Sequence, residues 1–295
     1  MPINSSCPNM QQLPEHTQEW IEKFVGPIRQ IRHLGGGSIN DVRQVDGQKG
    51  SIVIKLGHNA AAIHMFEAEA KGLRLLAQCG AVHTPQVLGM YTRPPILALG
   101  HISRGQPSRR FWVTFGEALA QLHRHSAPTF GLPHDNYIGT LPQQNRPTTD
   151  GPTFYRKYRL EAQLHLPGCQ QWFTNNDLRA FERLFARLEA LLPDEPPALI
   201  HGDLWSGNFL CNSQGQAVLI DPAVCYAYRE MDIAMAHLFG GFDPVFFEAY
   251  AANWPHADGL SERIELFQLY YLLVHVNLFG GSYVSAVRRT LHKLT

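Results

Sequence analysis

His201-Gly202-Asp203-Leu204-Trp205-Ser206-Gly207-Asn208, followed by Asp221-Pro222-Ala223, decides how this chain is read. Asp203 precedes Asn208 by five positions. The residues 208–211 then read as a short strand, Asn212-Ser213-Gln214-Gly215 as a turn, and 216–220 as a second strand. Such a hairpin brings the chain back, so that Asp221 ends beside Asn208. One carboxylate is thereby set apart to take or orient a proton. An amide oxygen and a second carboxylate are grouped as hard ligands suited to Mg²⁺. Taken singly, Asp203 reads as a helix cap and Asn208 as a turn residue; the joint pattern is far rarer than either.

That order and spacing is the one used by phosphoryl-transfer enzymes of the protein-kinase-like fold. Phosphoryl transfer needs an aligned acceptor hydroxyl and positive charge at the phosphate oxygens, with little covalent help from protein. Asp203 is therefore the candidate catalytic residue, and Asn208 and Asp221 are the candidate metal ligands.

The remaining sequence is consistent with a bilobal α+β chain. Its 295 residues suffice for two lobes and a substantial core. Lys plus Arg and Asp plus Glu are 25 each, and a net charge of zero argues against nucleic acid as a main partner. The five cysteines (Cys7, Cys79, Cys169, Cys211, Cys225) form no Cys-x-x-Cys pair and read as reduced thiols of a cytoplasmic protein. Cys225, soon after Asp221, reads as a small buried filler, with redox sensitivity as the alternative. Nothing at the start resembles a signal peptide, and the first ~15 residues read as a loose leader. The most apolar stretch, residues 269–276, is too short to span a bilayer.

A small β-rich N-lobe is expected over residues 1–102, with nucleotide binding as its task. Residues 17–30 read as a helix. Leu34-Gly35-Gly36-Gly37-Ser38-Ile39-Asn40 is a glycine loop able to turn backbone N–H groups toward phosphates, a weak signal on its own. Residues 42–45 and 51–56 read as paired strands joined at Asp46-Gly47. Lys55, at the end of the second, stands where a kinase keeps the lysine that holds the α and β phosphates. The helix expected over 60–78 carries Glu69 on its apolar stripe, and a carboxylate there needs a partner. Lys55 is the obvious one, with Glu67 as the alternative. Strands over 86–91 and 96–101 complete the lobe, the last with its hinge placing Leu99 and His101 near a nucleotide base.

Residues 103–295 are expected to form a larger, mainly helical C-lobe for catalysis and acceptor binding. Its helices are expected over about 111–126, 153–166, 177–192, 230–239, 244–252 and 261–279.

These residues carry a specific likeness. The chain resembles the fructosamine kinase (ketosamine-3-kinase) family, related to aminoglycoside phosphotransferases and choline kinases. The likeness covers nearly everything after about residue 15. It is carried by Gly35-Gly36-Gly37-Ser38-Ile39-Asn40, Met65-Phe66-Glu67-Ala68-Glu69, Phe130-Gly131-Leu132, His134-Asp135-Asn136 and Arg159 with Gln163. It is densest at 201–208, Asp221-Pro222-Ala223, Arg229-Glu230 with Asp232, and Phe239-Gly240-Gly241-Phe242. The resemblance implies ATP- and Mg²⁺-dependent phosphorylation of a ketoamine at its third-carbon hydroxyl. The unstable product falls apart and frees the amine, a deglycation of small ketoamines or glycated proteins. No membrane partner is implied, and the state is expected to be monomer or weak homodimer.

A small acceptor also fits the residues themselves. Gly202 stands where protein kinases have arginine, and no Ala-Pro-Glu segment follows Asp221. Trp205 could stack on a sugar's C–H face or on the amine's carrier, with a core tryptophan as the alternative. His134, Asp135, Asn136, Arg159 and Gln163 are candidates to line the acceptor pocket, or else structural hydrogen-bonding groups; 156, 159 and 163 share a helix face. Arg229, Glu230 and Asp232 read as caps and a buried pair that fixes the catalytic loop. His275 and Asn277, on the late apolar helix, read as core residues, with a place facing the pocket as the alternative. Asp41 and Gly100 depart from the family, which often has a basic and an acidic residue there. Two other readings stay open: a phosphotransferase for an aminoglycoside or choline-like acceptor, and a non-catalytic nucleotide-binding regulator.

Overall fold

The structure, a computed structural model, describes residues 13–35 and 41–295. The chain divides into two compact units, one running to Ala70 and including Pro85–Ile102, the other formed by Lys71–Thr84 and Ser103–Thr295. A single cut after residue 102 would have left Lys71–Thr84 with the first unit; it belongs to the second.

The first unit contains α1 (Glu15–Val25), β1 (Ile28–His33), β2 (Asp41–Gly47), β3 (Gly50–Leu56), the first half of α2 (Ala62–Gln78), β4 (Val87–Thr92) and β5 (Pro95–Gly100). The strands form one antiparallel sheet in the order β1-β2-β3-β5-β4. Ile21 and Val25 of α1 pack with Val45, Ile52, Ile54, Ile96 and Ala98 in a buried cluster. Side chains alternate along a strand, so Ile52 and Ile54 face that cluster while Lys55 turns to the other side. Two expectations are corrected. The helix expected over 17–30 ends at Val25, because Pro27 disfavours helical backbone in the residue before it. Residues 28–33 instead pair with β2, Ile31 opposite Val45. The hairpin turn is Gln48-Lys49, since Gly47 still pairs with Gly50. Asp46 is left in the strand, where it accepts hydrogen bonds from Ser51, Gln44 and Arg32.

The second unit takes the second half of α2 and then α3 (Arg109–His123), capped by Ser108, whose hydroxyl accepts from the Phe111 N–H at 3.2 Å. Next come a hairpin of β6 (Asn136–Ile138) and β7 (Leu141–Gln143), then α4 (Gly151–Tyr155), a π-helical turn (Arg156–Glu161) and α5 (Ala162–Leu164) without interruption. Then follow α6 (Pro167–Trp172), α7 (Asn175–Phe185), α8 (Leu188–Leu191), β8 (Ala198–Ile200), β9 (Phe209–Cys211), β10 (Ala217–Leu219), β11 (Cys225–Ala227), α9 (Glu230–Phe239), α10 (Pro244–Asn253), α11 (Leu260–Phe279) and α12 (Val284–Leu294). The core of this unit gathers Phe111, Phe115 and Leu119 of α3, Ile233 and Met235 of α9, Phe246 of α10 and residues 269–274 of α11. The helix expected over 177–192 breaks into α7 and α8. Helices α6 and α12 and the strand pairs β6–β7 and β8–β11 were not expected from the sequence. Among the described residues no helix is long and apolar enough to cross a membrane.

Candidate active site

Strand pairing builds the catalytic loop. β8 delivers the chain to His201, the antiparallel hairpin β9–β10 follows Asn208, and β11, after Asp221, pairs with β8 so that Ile200 lies opposite Cys225. The loop is braced across its width. Ala223 donates its N–H to the His201 carbonyl at 2.9 Å, and Ile220 donates to the Asn208 carbonyl at 3.0 Å. Gly202 has φ +83°, and a Cβ there would meet the Ala223 carbonyl oxygen at 2.1 Å. Both the backbone conformation and the close strand therefore demand glycine where a protein kinase has arginine.

Asp203 and Asn208 are in direct contact. The Asn208 amide nitrogen donates to the Asp203 carbonyl oxygen and to Oδ2 of its carboxylate, each at 2.9 Å. With both amide hydrogens so used, the amide oxygen of Asn208 is turned away from Asp203. Asp221 lies close enough for its charge to bear on Asp203. Among the described residues it is the one non-glycine residue with positive φ (53°), a conformation Asp tolerates better than most. Burial, then the charge of Asp221, then that of Asp232 push the Asp203 carboxyl up to about 7, against the Asn208 hydrogen bond. Asp203 nonetheless keeps part of its surface in solvent. A cation beside Asp221 would cancel part of that repulsion.

Among the described residues no three His, Cys, Asp or Glu side chains group to hold a metal. The candidate ligands named from the sequence would supply one carboxylate (Asp221) and one amide oxygen (Asn208). That sparse, hard set suits Mg²⁺, which keeps water and takes substrate phosphate oxygens as its other ligands.

His201 is fully buried and held low in pKa by that burial. Its Nε2–H donates to the Ile220 carbonyl at 2.9 Å, and Nδ1 accepts from the Asp203 N–H at 3.3 Å. Beneath the loop, Asp232 accepts the His201 N–H at 2.7 Å and the Gly202 N–H at 2.8 Å. It also accepts from Nε2–H of His123 at 3.2 Å. His123 Nδ1 in turn takes the Tyr250 hydroxyl proton at 2.8 Å, and Tyr250 accepts from Arg229 at 3.2 Å. Arg229 is fixed by Glu195 at 2.9 Å through two nitrogens, and Glu230 binds Arg263. The expected loop-fixing role at the head of α9 thus falls to Asp232. His123 and Tyr250 were missed: on apolar helices they look like single core residues, and no sequence spacing links them to position 232.

In the first unit Lys55 is buried, with Nζ 2.7 Å from Oε1 of Glu69. The alternative partner, Glu67, is half-exposed beside His64. Leu99 is buried in β5 opposite Val53, and His101 is partly exposed beyond its end. Gly35 is exposed; Gly36, Gly37, Ser38, Ile39 and Asn40 lie outside the described residues. Asp41 is bound by Arg43 and His33, which hold its carboxyl below the usual range, Arg43 contributing most. Gly100 donates its N–H to the Gln86 carbonyl at 2.8 Å.

The acceptor-side candidates separate. Trp205 is 37% exposed, its indole lying against Gly207, where a Cβ would meet the ring at 2.3 Å. His134 and Asp135 are exposed, and Asp135 accepts the Asn145 N–H. Asn136, Arg159 and Gln163 face protein instead. Asn136 is bonded to Val224, Gln143 and Asn145. Arg159 is fully buried and donates to Gln144, Tyr158, Asn145 and the Cys225 sulfur. Gln163 accepts from Asn277. These three serve as structural hydrogen-bonding groups. A face shared by 156, 159 and 163 is also lost, because the π turn changes the spacing: Arg156 pairs with Glu161, five residues on, at 2.7 Å. Among the described residues the cysteines Cys79, Cys169, Cys211 and Cys225 are free thiols, and burial raises the pKa of Cys225 despite Arg159.

A five-stranded sheet with a strand-lysine to helix-glutamate pair, followed by a helical unit bearing Asp203, Asn208 and Asp221, is a protein-kinase-like fold. The fructosamine kinase family model matches residues 10–295. A Lactiplantibacillus plantarum protein provisionally named a ketoamine kinase is 38% identical over 93% of this chain and 98% of its own. The chloroplastic protein-ribulosamine 3-kinase of Oryza sativa subsp. indica is 32% identical over 91% of this chain and 80% of its own. A solved structure from Thermobifida fusca YX-ER1, provisionally named a fructosamine-3-kinase, superposes with a TM-score of 0.85 at 33% identity, covering 94% of this chain and 97% of that one. The chain belongs to the fructosamine kinase family.

Proposed function

We propose that this chain is a ketosamine kinase that transfers the γ-phosphoryl group of ATP to the third-carbon hydroxyl of a ketosamine, with Mg²⁺, and so starts release of the amine. The observation that carries the reading is the pairing of Asp203 with Asn208 in a loop tied down by Asp232, within a chain of the fructosamine kinase family. Asp203 is the proton acceptor: its carboxylate is oriented by Asn208 and faces partly into solvent, where an acceptor hydroxyl can reach it. Asn208 and Asp221 would hold the Mg²⁺, which when bound supplies positive charge at the phosphate oxygens. Lys55, kept in place by Glu69, binds nucleotide phosphate; Gly35, Gly36, Gly37, Ser38, Leu99 and His101 complete the nucleotide contacts. Trp205 offers a flat apolar face to the sugar, and His134 and Asp135 are exposed polar groups available to it.

A substrate panel tests this directly. Purified protein with ATP and Mg²⁺ is offered ribulosyl-lysine, fructosyl-lysine, kanamycin and choline. Transfer to a ketosyl-lysine is expected; transfer to kanamycin or choline alone would overturn the reading.

A further inference from the structure

Three successive residues shortly after Asp221 are each taken by a buried side chain from elsewhere in the second unit. Nε2 of Gln143 donates to the Ala223 carbonyl at 3.0 Å, Nδ2 of Asn136 to the Val224 carbonyl at 2.8 Å, and Nη2 of Arg159 to the Cys225 sulfur at 3.0 Å. The three donors are also tied to one another. Gln143 donates to Oδ1 of Asn136 at 2.8 Å, Asn145 donates to the same oxygen at 2.7 Å, and Arg159 donates to Oδ1 of Asn145 at 2.8 Å. The Tyr270 hydroxyl closes the cluster from α11, donating to Oε1 of Gln143 at 2.7 Å. All five side chains are buried, and of their polar atoms only Nε of Arg159 lacks a partner. Two of the donors arrive together because Asn136 and Gln143 lie opposite one another across the β6–β7 hairpin, which puts their side chains on one face.

Cohesion alone does not call for such a cluster, since apolar side chains of similar volume hold a core together as well. A polar network with its bonds made fixes one geometry instead. What it fixes here is the backbone two to four residues beyond Asp221. On the other side of Asp221, the Ile220 N–H is bound to the Asn208 carbonyl at 3.0 Å. Asp221 itself, between these two anchors, has φ +53°, a conformation that persists only where the surroundings over-determine it.

We propose that Gln143, Asn136 and Tyr270 are positioning residues that hold Asp221 in place as a metal ligand. This rests on the ketosamine kinase reading above, in which Asn208 and Asp221 hold Mg²⁺. Asn208 is set by its bonds to Asp203 within the catalytic loop. The polar cluster sets the other ligand, by gripping the chain that leaves it. Once the carbonyls of Ala223 and Val224 are released, the backbone at Asp221 relaxes toward ordinary negative φ, and the carboxylate moves away from Asn208. Groups that orient a ligand in this way typically carry roughly 10- to 100-fold in metal affinity.

Calorimetric titration of the full-length protein with ADP, in excess Mg²⁺ and again in EDTA, separates the metal's share of binding from the rest. Gln143→Met keeps the length of the side chain but loses both donors. Its Kd for ADP is expected to rise about tenfold in Mg²⁺ and to stay within about twofold of wild type in EDTA. Tyr270→Phe removes one hydrogen bond and is expected to raise the Mg²⁺ value about threefold; it decides the matter where Gln143→Met does not fold. Tyr155→Phe is the control. It breaks another buried tyrosine hydrogen bond, to the Leu266 carbonyl at 2.7 Å, that involves nothing after Asp221. Both of its constants are expected within about twofold of wild type. An unchanged Kd in Mg²⁺, an equal rise in Mg²⁺ and EDTA, or the same rise in Tyr155→Phe overturns the positioning role while leaving the ketosamine kinase reading intact. An Asp221→Ala protein that keeps the wild-type difference between Mg²⁺ and EDTA overturns Asp221 as a ligand, and both readings of the metal site with it.

Discussion

Replacing Asp232 separates what holds the protein together from what aims Asp203. In Asp232→Ala, three buried donors lose their acceptor: the N–H groups of His201 and Gly202, bound at 2.7 and 2.8 Å, and Nε2–H of His123 at 3.2 Å. Each stranded buried donor costs about 1–3 kcal/mol, and local relaxation brings the total to roughly 4–6 kcal/mol. Against a typical stability of about 5–15 kcal/mol, that lowers the melting temperature by roughly 10–20 °C. Asp232→Asn keeps the shape and one acceptor oxygen but turns an NH₂ group toward a donor. About half the stability loss is expected. The loop backbone at 201–202 also relaxes, and a displacement of about 1 Å at Asp203 is enough to lower turnover by roughly 10²-fold. Circular-dichroism melts and phosphoryl-transfer assays well below the variant's melting temperature measure the two effects independently. An Asp232→Asn protein that melts low yet keeps wild-type kcat while folded would show that Asp232 holds the fold and does not aim the loop. A wild-type melt would refute the network altogether.

The other expectations are more direct. Asp203→Ala is expected to lower turnover by roughly 10²–10⁴-fold while nucleotide binding, read by calorimetry, persists; unchanged turnover would remove Asp203 from the chemistry. Asp221→Ala is expected to raise the Mg²⁺ concentration needed for half-maximal rate, and an unaltered Mg²⁺ titration would count against that ligand. Asp177 closes a capping box with Thr174 at the head of α7 and pairs with Arg288, chiefly the latter lowering its carboxyl to about 2. Asp177→Ala should cost about 1–2 kcal/mol at neutral pH. A lowered folded-state pKa stabilises above the unfolded value near 3.9, so the gap from wild type should close as pH falls from about 4 to about 2; a gap independent of pH would be inconsistent with that pairing.

The reach of sequence reasoning depended on how local each signal is. The hairpin β9–β10 and the stripe of α2 were legible because turn residues and helical spacing act within a few positions. The strand β1 was not, because its six residues, Ile-Arg-Gln-Ile-Arg-His, alternate poorly and pair with β2 only once Pro27 has ended α1. The three-residue strands β8 and β11 are too short for any periodicity; what positions them is pairing across the loop they enclose. Within the candidate site, Asp203, Asn208 and Asp221 announce themselves by spacing. Asp232, His123 and Tyr250 act through contacts spanning 109 and 127 positions, which no local pattern encodes. Arg159 and Gln163 stayed open between two readings for the opposite reason: polar groups at helical spacing look available until the π turn and the loop at 144–145 are seen to absorb Arg159.

That π turn has a consequence for how the chain can change in length. It holds one more residue per turn than an α-helix, and through it Arg159 reaches Asn145 and Cys225. Deleting a single residue between Arg156 and Glu161 would close the wide turn into ordinary helical winding and carry Arg159 round the helix by up to roughly 100°. The guanidinium would swing out of the interior, leaving Asn145 and the stretch after Asp221 without their shared donor. The extra residue is thus tied into the interior by its contacts, and a shortened turn should cost the protein the Arg159 network.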